Sequence, residues 1–168
     1  MSDKTKKIFF ALTIVVPILL YCAYYYGMMI KNAPYRFSDF QYLRLEYGTG
    51  DTLKNKYNSK TGAYQYVTKS GTIKNMQLSL TKDDLLYLHR KAADLGFWNF
   101  PEKEEGDGFT AGQQPAPKYL IEFVYKDKTK KVLFDASYAG DPELKDANMR
   151  LIKEIQMKLD EREEQIKK

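Results

Sequence analysis

The stretch FQYLRLEYG, residues 40–48, alternates Leu43, Leu45 and Tyr47 with Tyr42, Arg44 and Glu46. A two-residue period of this kind marks a strand with one dry face and one wet face. Such a strand needs neighbours to pair its backbone and a layer to cover its apolar side, and the segments downstream supply both. AYQYVTK and TIKNMQLSL flank Ser70-Gly71, a two-residue turn whose glycine can take a positive φ, so the pair predicts a hairpin with Met76, Leu78 and Leu80 toward the core. TKDDLLYLHRKAADLG opens on Thr81 as an N-cap, carries Asp83 and Asp84 in its first turn and ends at Gly96, the pattern of a helix with Leu85, Leu88, Ala92 and Leu95 on one face. KYLIEFVY and KKVLF about KDKT predict a second hairpin. Asp141-Pro142 starts a closing helix, because proline suits the first turn, and Leu144, Ala147, Leu151, Ile152, Ile155, Leu159 and Ile166 fall on one stripe of it. Beyond Leu159 the tail DEREEQIKK is almost wholly polar and is expected to project into solvent.

These elements give the order β-β-β-α-β-β-α, and with it an α+β fold: an antiparallel sheet with two helices packed on one face. Between helix and second hairpin, FWNFPE provides the packing anchors Phe97, Trp98 and Phe100, and EKEEGDGFTAGQQPAP makes a loop long enough to be functional or disordered.

The apolar fraction of 43% and the 14 tyrosines among 168 residues are those of a folding chain rather than a disordered one. Cys22 is the one cysteine and His89 the one histidine. No intramolecular disulfide is possible, and zinc sites needing two or more His or Cys ligands are excluded. No cofactor is expected.

From Ile8 to Ile30 run 23 residues without a charge, about 34 Å of helix at ~1.5 Å per residue, against a hydrocarbon core of about 30 Å. This predicts a transmembrane helix over 8–30, with a cytoplasmic basic N-terminus over 1–7, a linker over 31–38 and an extracytoplasmic α+β domain over 39–168. A secretory signal has a shorter apolar region followed by small residues, whereas here Tyr21 precedes Cys22 and the apolar run continues past it, so lipid attachment at Cys22 is not expected. Tyr21, Tyr24, Tyr25 and Tyr26 suit the headgroup region, and Lys4, Lys6 and Lys7 outweigh Lys31 and Arg36, which favours a cytoplasmic N-terminus and a single-pass protein of the cell membrane.

Leu80-Thr81, Asp84-Leu85, Leu88, Leu95-Gly96-Phe97-Trp98 and Pro101, followed by a hairpin and a closing helix, resemble small bacterial envelope domains of unknown function that are attached by an N-terminal lipid or membrane helix. The resemblance runs from about Tyr42 to Leu159. It implies an extracytoplasmic, membrane-tethered α+β module, and it brings no catalytic residues to carry over.

Few residues point to chemistry. His89 lies beside the apolar stripe of its helix with no sequence signature of a nucleophile and carboxylate to complete a triad, so it reads as a half-buried histidine bonded to backbone. Glu102, Glu104, Glu105 and Asp107 lack the ordered spacing of a calcium loop, and GTGD at 48–51 lacks the ending of a phosphate loop. Lys54, Lys56, Lys60, Lys69 and Lys74 interleave with Tyr57, Tyr64 and Tyr66; of these Lys54, Lys56, Lys60, Tyr57 and Tyr64 are the candidate ligand-binding residues, for an anionic polymer or lipid headgroup rather than nucleic acid. The expected function is a non-catalytic binding or accessory module at the membrane, with an envelope protein or anionic polymer as partner. The alternative is an envelope hydrolase using the acidic loop with Asp135 or Asp141 as general acid and base.

Overall fold

The computed structural model describes residues 3–32, 35–50, 52–106 and 115–167; the side chains of residues 6–8, 11 and 29–32 lie outside that description. The chain divides into two compact units, Met1–Arg36 and Phe37–Lys168.

The first unit holds helix α1, Asp3–Asn32, which continues through Pro17. The expectation of a transmembrane helix is corrected here, since among the described residues no helix is long and apolar enough to cross a membrane. The apolar part of α1 is diluted by Thr13, Pro17 and four tyrosines, Tyr21, Tyr24, Tyr25 and Tyr26. Lys6, Lys7, Ile8, Met29, Ile30 and Lys31, on which the expected span and its flanking charges also rest, have side chains outside the description.

The second unit is α+β, built from strands β1 (Phe40–Thr49), β2 (Asn55–Asn58), β3 (Ala63–Val67), β4 (Ile73–Gln77), β5 (Lys103–Glu104), β6 (Pro117–Tyr125) and β7 (Thr129–Asp135) with helices α2 (Lys82–Asp94) and α3 (Pro142–Ile166). The strands form one sheet in the order β4-β3-β2-β1-β6-β7-β5. Every pairing is antiparallel except β5 against β7, which is parallel. The expected five-stranded antiparallel sheet is therefore corrected to a seven-stranded mixed one. The two added strands are NKYN, whose single core residue is too little for a visible period, and a two-residue piece inside a charged segment.

β1 lies between β2 and β6, and its alternation divides the sheet as expected. Leu43, Leu45, Ile121, Phe123, Val132 and Phe134 are fully buried on one face, beneath Leu88 and Ala92 of α2 and Leu151, Ile155 and Leu159 of α3. Trp98 meets Phe123 edge-on at 5.3 Å between ring centroids, and Phe97 lies 5.3 Å from the same ring, so the short turn after α2 fills the layer between helix and sheet. Thr81 caps α2 in a full capping box: its Oγ1 accepts from the Asp84 amide at 3.2 Å and its own amide donates to Asp84 Oδ2 at 3.0 Å. Gly96, at φ +77°, ends the helix in the left-handed region.

The C-terminal turns of α3 do not project freely. Arg162 donates from Nε and Nη2 to Asp84 Oδ2 at 2.9 and 2.7 Å, and Tyr66 on β3 donates to Glu163 Oε1 at 3.2 Å. The charged tail is a docking element, because its charges find partners on α2 and on the sheet.

Candidate functional site

Both helices of the body, α2 and α3, lie on the face of Leu43 and Leu45, and neither of them covers the opposite face of the sheet. β1 turns Tyr42, Arg44 and Glu46 toward it. By register, Arg44 stands opposite Glu122 of β6 and Asn58 of β2, and Glu46 opposite Lys56. Glu122 in turn faces Lys131 of β7. Arg44 Nε lies 3.0 Å from Glu122 Oε2 and 3.6 Å from Glu46 Oε1, and Lys56 Nζ lies 3.7 Å from Glu46 Oε2. The Arg44 Nε contact has the distance of an ion pair but not the alignment of a hydrogen bond, so it counts as charge attraction rather than as a directed bond.

Over β1 to β4 this face holds a hollow of about 690 Å³, lined by Arg44, Glu46, Lys56, Gln65, Ala63 and Met76 among others. Lys60, in the turn after β2, places its Nζ 5.7 Å from the centre of the Tyr42 ring at the edge of the same face. That turn depends on Gly62, at φ +69°, where a Cβ would come within 2.6 Å of the Gln77 side-chain nitrogen. Arg44, Lys56, Lys60 and the exposed Lys131 share this face with Glu46 and Glu122, while much of the hollow's exposed lining is apolar, with Ala63 and Met76 contributing to it.

Of the residues singled out in the sequence, Lys56 and Lys60 belong to this face, and Lys54 is exposed in the connection before β2. Tyr57 and Tyr64 do not present rings beside them. They reach the wall of the hollow, but with 1% and 7% of their surface exposed they are core residues, ring against ring at 6.0 Å on the helix side. Burial pushes the Tyr57 hydroxyl up to about 12, and the Tyr64 hydroxyl is raised for the same reason. Strand alternation separates lysines from tyrosines: an even-numbered Lys56 and an odd-numbered Tyr57 must lie on opposite faces. The aromatic residue that does share the face is Tyr42, which the same alternation in FQYLRLEYG could have identified.

The carboxylates proposed for hydrolysis are occupied separately. Asp135 Oδ1 accepts from the Ser137 amide and hydroxyl at 2.8 and 2.6 Å, and Asp141 caps α3 by accepting from the Glu143 amide at 2.9 Å. Glu105 is exposed, 3.9 Å from Lys103, and Glu104 is buried. Asp107, like the rest of 107–114, and Asp51 of the GTGD turn lie outside the described residues. Among the described residues no group of three or more His, Cys, Asp or Glu side chains is placed to hold a metal ion. His89 is 9% exposed, its ring 5.4 Å from Trp98, 5.5 Å from Phe37 and 6.0 Å from Tyr125, a member of the aromatic core. Cys22 is a free thiol in α1.

No protein-family model and no curated protein matches this chain.

Proposed function

We propose that this chain is a membrane-attached binding module of a cell envelope, and that it holds an anionic polymer, one bearing phosphate or carboxylate groups, on the uncovered face of its sheet. The observation that carries the reading is that Arg44 and Lys56 line a hollow on the sheet face that neither α2 nor α3 covers, with Lys60 at the edge of the same face beside Tyr42. A row of cations on a low, hydrated surface attracts a polyanion over several ångströms and holds it by many weak contacts, none of which requires catalysis. Amide side chains between the cations provide donors and acceptors along the strand of a polymer. Membrane attachment is supported by α1, whose apolar side chains from Phe9 to Tyr26 are exposed around the helix, Phe9 and Leu20 each by 67%. Leaving each large apolar side chain in water forgoes about 1.5–3 kcal/mol, and a helix apolar on all sides finds its partner in lipid or in another apolar surface.

The test is binding of long-chain polyphosphate to the full chain held in lipid nanodiscs, with Lys56→Glu and Lys60→Glu introduced together. We expect at least a tenfold weaker association and a strong decrease in wild-type affinity with added salt. Binding that survives both changes would reject this face. Binding of a neutral glycan that is indifferent to salt would reject the polyanion.

A further inference from the structure

Glu104 and Asn148 are the most deeply buried polar side chains among the described residues, with 1% and 0% of their surface exposed. Glu104 comes from β5, opposite Phe134 of β7, and so points to the helix-covered side. Asn148 comes from α3. Its amide orientation is fixed by its neighbours, since Nδ2 donates to Glu104 Oε2 at 2.8 Å and to the Leu144 carbonyl at 3.0 Å. Both partners are acceptors, so turning the amide would set oxygen against oxygen.

Two buried atoms are left with no donor among the described residues: Glu104 Oε1 and Asn148 Oδ1. A buried acceptor without a donor costs about 1–3 kcal/mol, and more when it is charged. The charged group that faces this carboxyl is Lys130 of β7, whose Nζ donates to the Phe100 carbonyl. From α3 it is faced by the neutral Asn148. Lys130 also feels Glu102, so its charge is shared between two carboxylates. One proton resolves both orphans together. A carboxylic acid and a carboxamide each offer one donor and one acceptor side by side, so a proton on Oε1 can be given toward Oδ1 while Nδ2 gives toward Oε2.

We propose that Glu104 is held as the neutral acid paired with Asn148, and that this pair is a proton-operated latch fastening the edge strand β5 to α3. Losing the proton leaves a buried carboxylate with one donor from Asn148, and the low-cost response is for β5 to leave its place. Burial pushes the Glu104 carboxyl above the usual carboxylate range and outweighs the opposing pull of Asn148 and Lys130. Because the folded value is raised, the stability that the latch adds is complete below the ordinary glutamate pKa of about 4.3. It falls as pH rises from there and is lost once pH has passed through the raised value.

The experiment is amide hydrogen exchange on the full chain in nanodiscs across pH, corrected for intrinsic rates and read at Leu133, whose amide donates to the Glu102 carbonyl at 2.8 Å. We expect at least a tenfold loss of protection at Leu133 with rising pH, with Leu45 at the centre of the sheet unchanged. Glu104→Gln keeps a donor where the acid hydroxyl was, and should hold Leu133 protected at every pH. Protection at Leu133 that is flat with pH in the wild type would overturn the latch. The carboxyl carbon shift of Glu104 in the wild-type chain reads the titration without any variant: a raised midpoint supports the latch, and titration in the ordinary glutamate range overturns it.

Discussion

The two faces of the central sheet are made by the same strands, and they differ in what neutralises their cost. On the helix-covered face the residues of β1, β6 and β7 are Leu43, Leu45, Ile121, Phe123, Val132 and Phe134, all fully buried. On the uncovered face the same strands carry Arg44, Glu46, Glu122 and Lys131 beside Leu120, and Arg44 Nε lies between the carboxylates of Glu46 and Glu122. One face is held by exclusion of water and the other tolerates it. The difference teaches that this sheet's stability resides on one side and its freedom to bind on the other, a division that single substitutions can break.

The largest effect is expected from Phe123→Ala, which removes a ring packed against both Phe97 and Trp98. Loss of such a side chain costs about 3–5 kcal/mol, to be read as a lowered denaturation midpoint in urea. A loss below 1 kcal/mol would mean that the covered face is not the stabilising one.

Next is Asp84→Ala, which undoes the capping box of α2 and the tie to Arg162 together, for about 1–2 kcal/mol. Burial by itself would raise the Asp84 carboxyl, but the hydrogen bonds from Thr81 and Arg162 prevail and hold it below the usual range. Since its folded value is depressed, its contribution is present above the ordinary aspartate pKa of about 3.9 and is lost as pH falls through the folded value. Stability measured from pH 7 downward should therefore drop more steeply in the wild type than in Asp84→Ala.

A smaller loss, about 0.5–1.5 kcal/mol, is expected for Tyr66→Phe, which removes the hydroxyl that donates to Glu163. Faster exchange confined to the last turns of α3 would be its signature, and unchanged exchange there would show that Arg162 alone holds the helix end. The smallest stability effect belongs to the uncovered face. Arg44→Ala should cost no more than about 1 kcal/mol, the upper end for surface ion pairs, since Arg44, Glu46 and Glu122 are half-buried, while weakening polyphosphate binding; a loss as large as that of Phe123→Ala would erase the distinction between the faces.

Much of the covered face is legible in the residues themselves. FQYLRLEYG assigns its leucines and its charges to opposite sides before any partner is known, and Thr81, Asp84 and Gly96 mark both ends of α2. The uncovered face is legible in part: Lys56 and Lys60 stand out as cations, but Tyr57 and Tyr64 lie on the other face, since adjacent strand residues point apart. The docked end of α3 was hidden because Arg162 and Glu163 look like any solvated charges until Asp84 and Tyr66, distant in sequence, are brought beside them. Glu104 was hidden in the same way, one acid among several in a loop.

By itself the sequence determined what depends on neighbours along the chain: the alternation of β1, the caps and apolar stripes of α2 and α3, the turn at Ser70-Gly71, and the lack of any paired cysteine. The tertiary structure alone decided what depends on distant partners. It added β2 and β5 to the sheet, turned the β5 pairing parallel and sank Glu104 against Asn148. It also put α2 and α3 on the same face of the sheet. The physical reason is one of range: propensity and period act over a few residues, whereas burial and charge pairing are set only when segments far apart in the chain come to share the same water-free space.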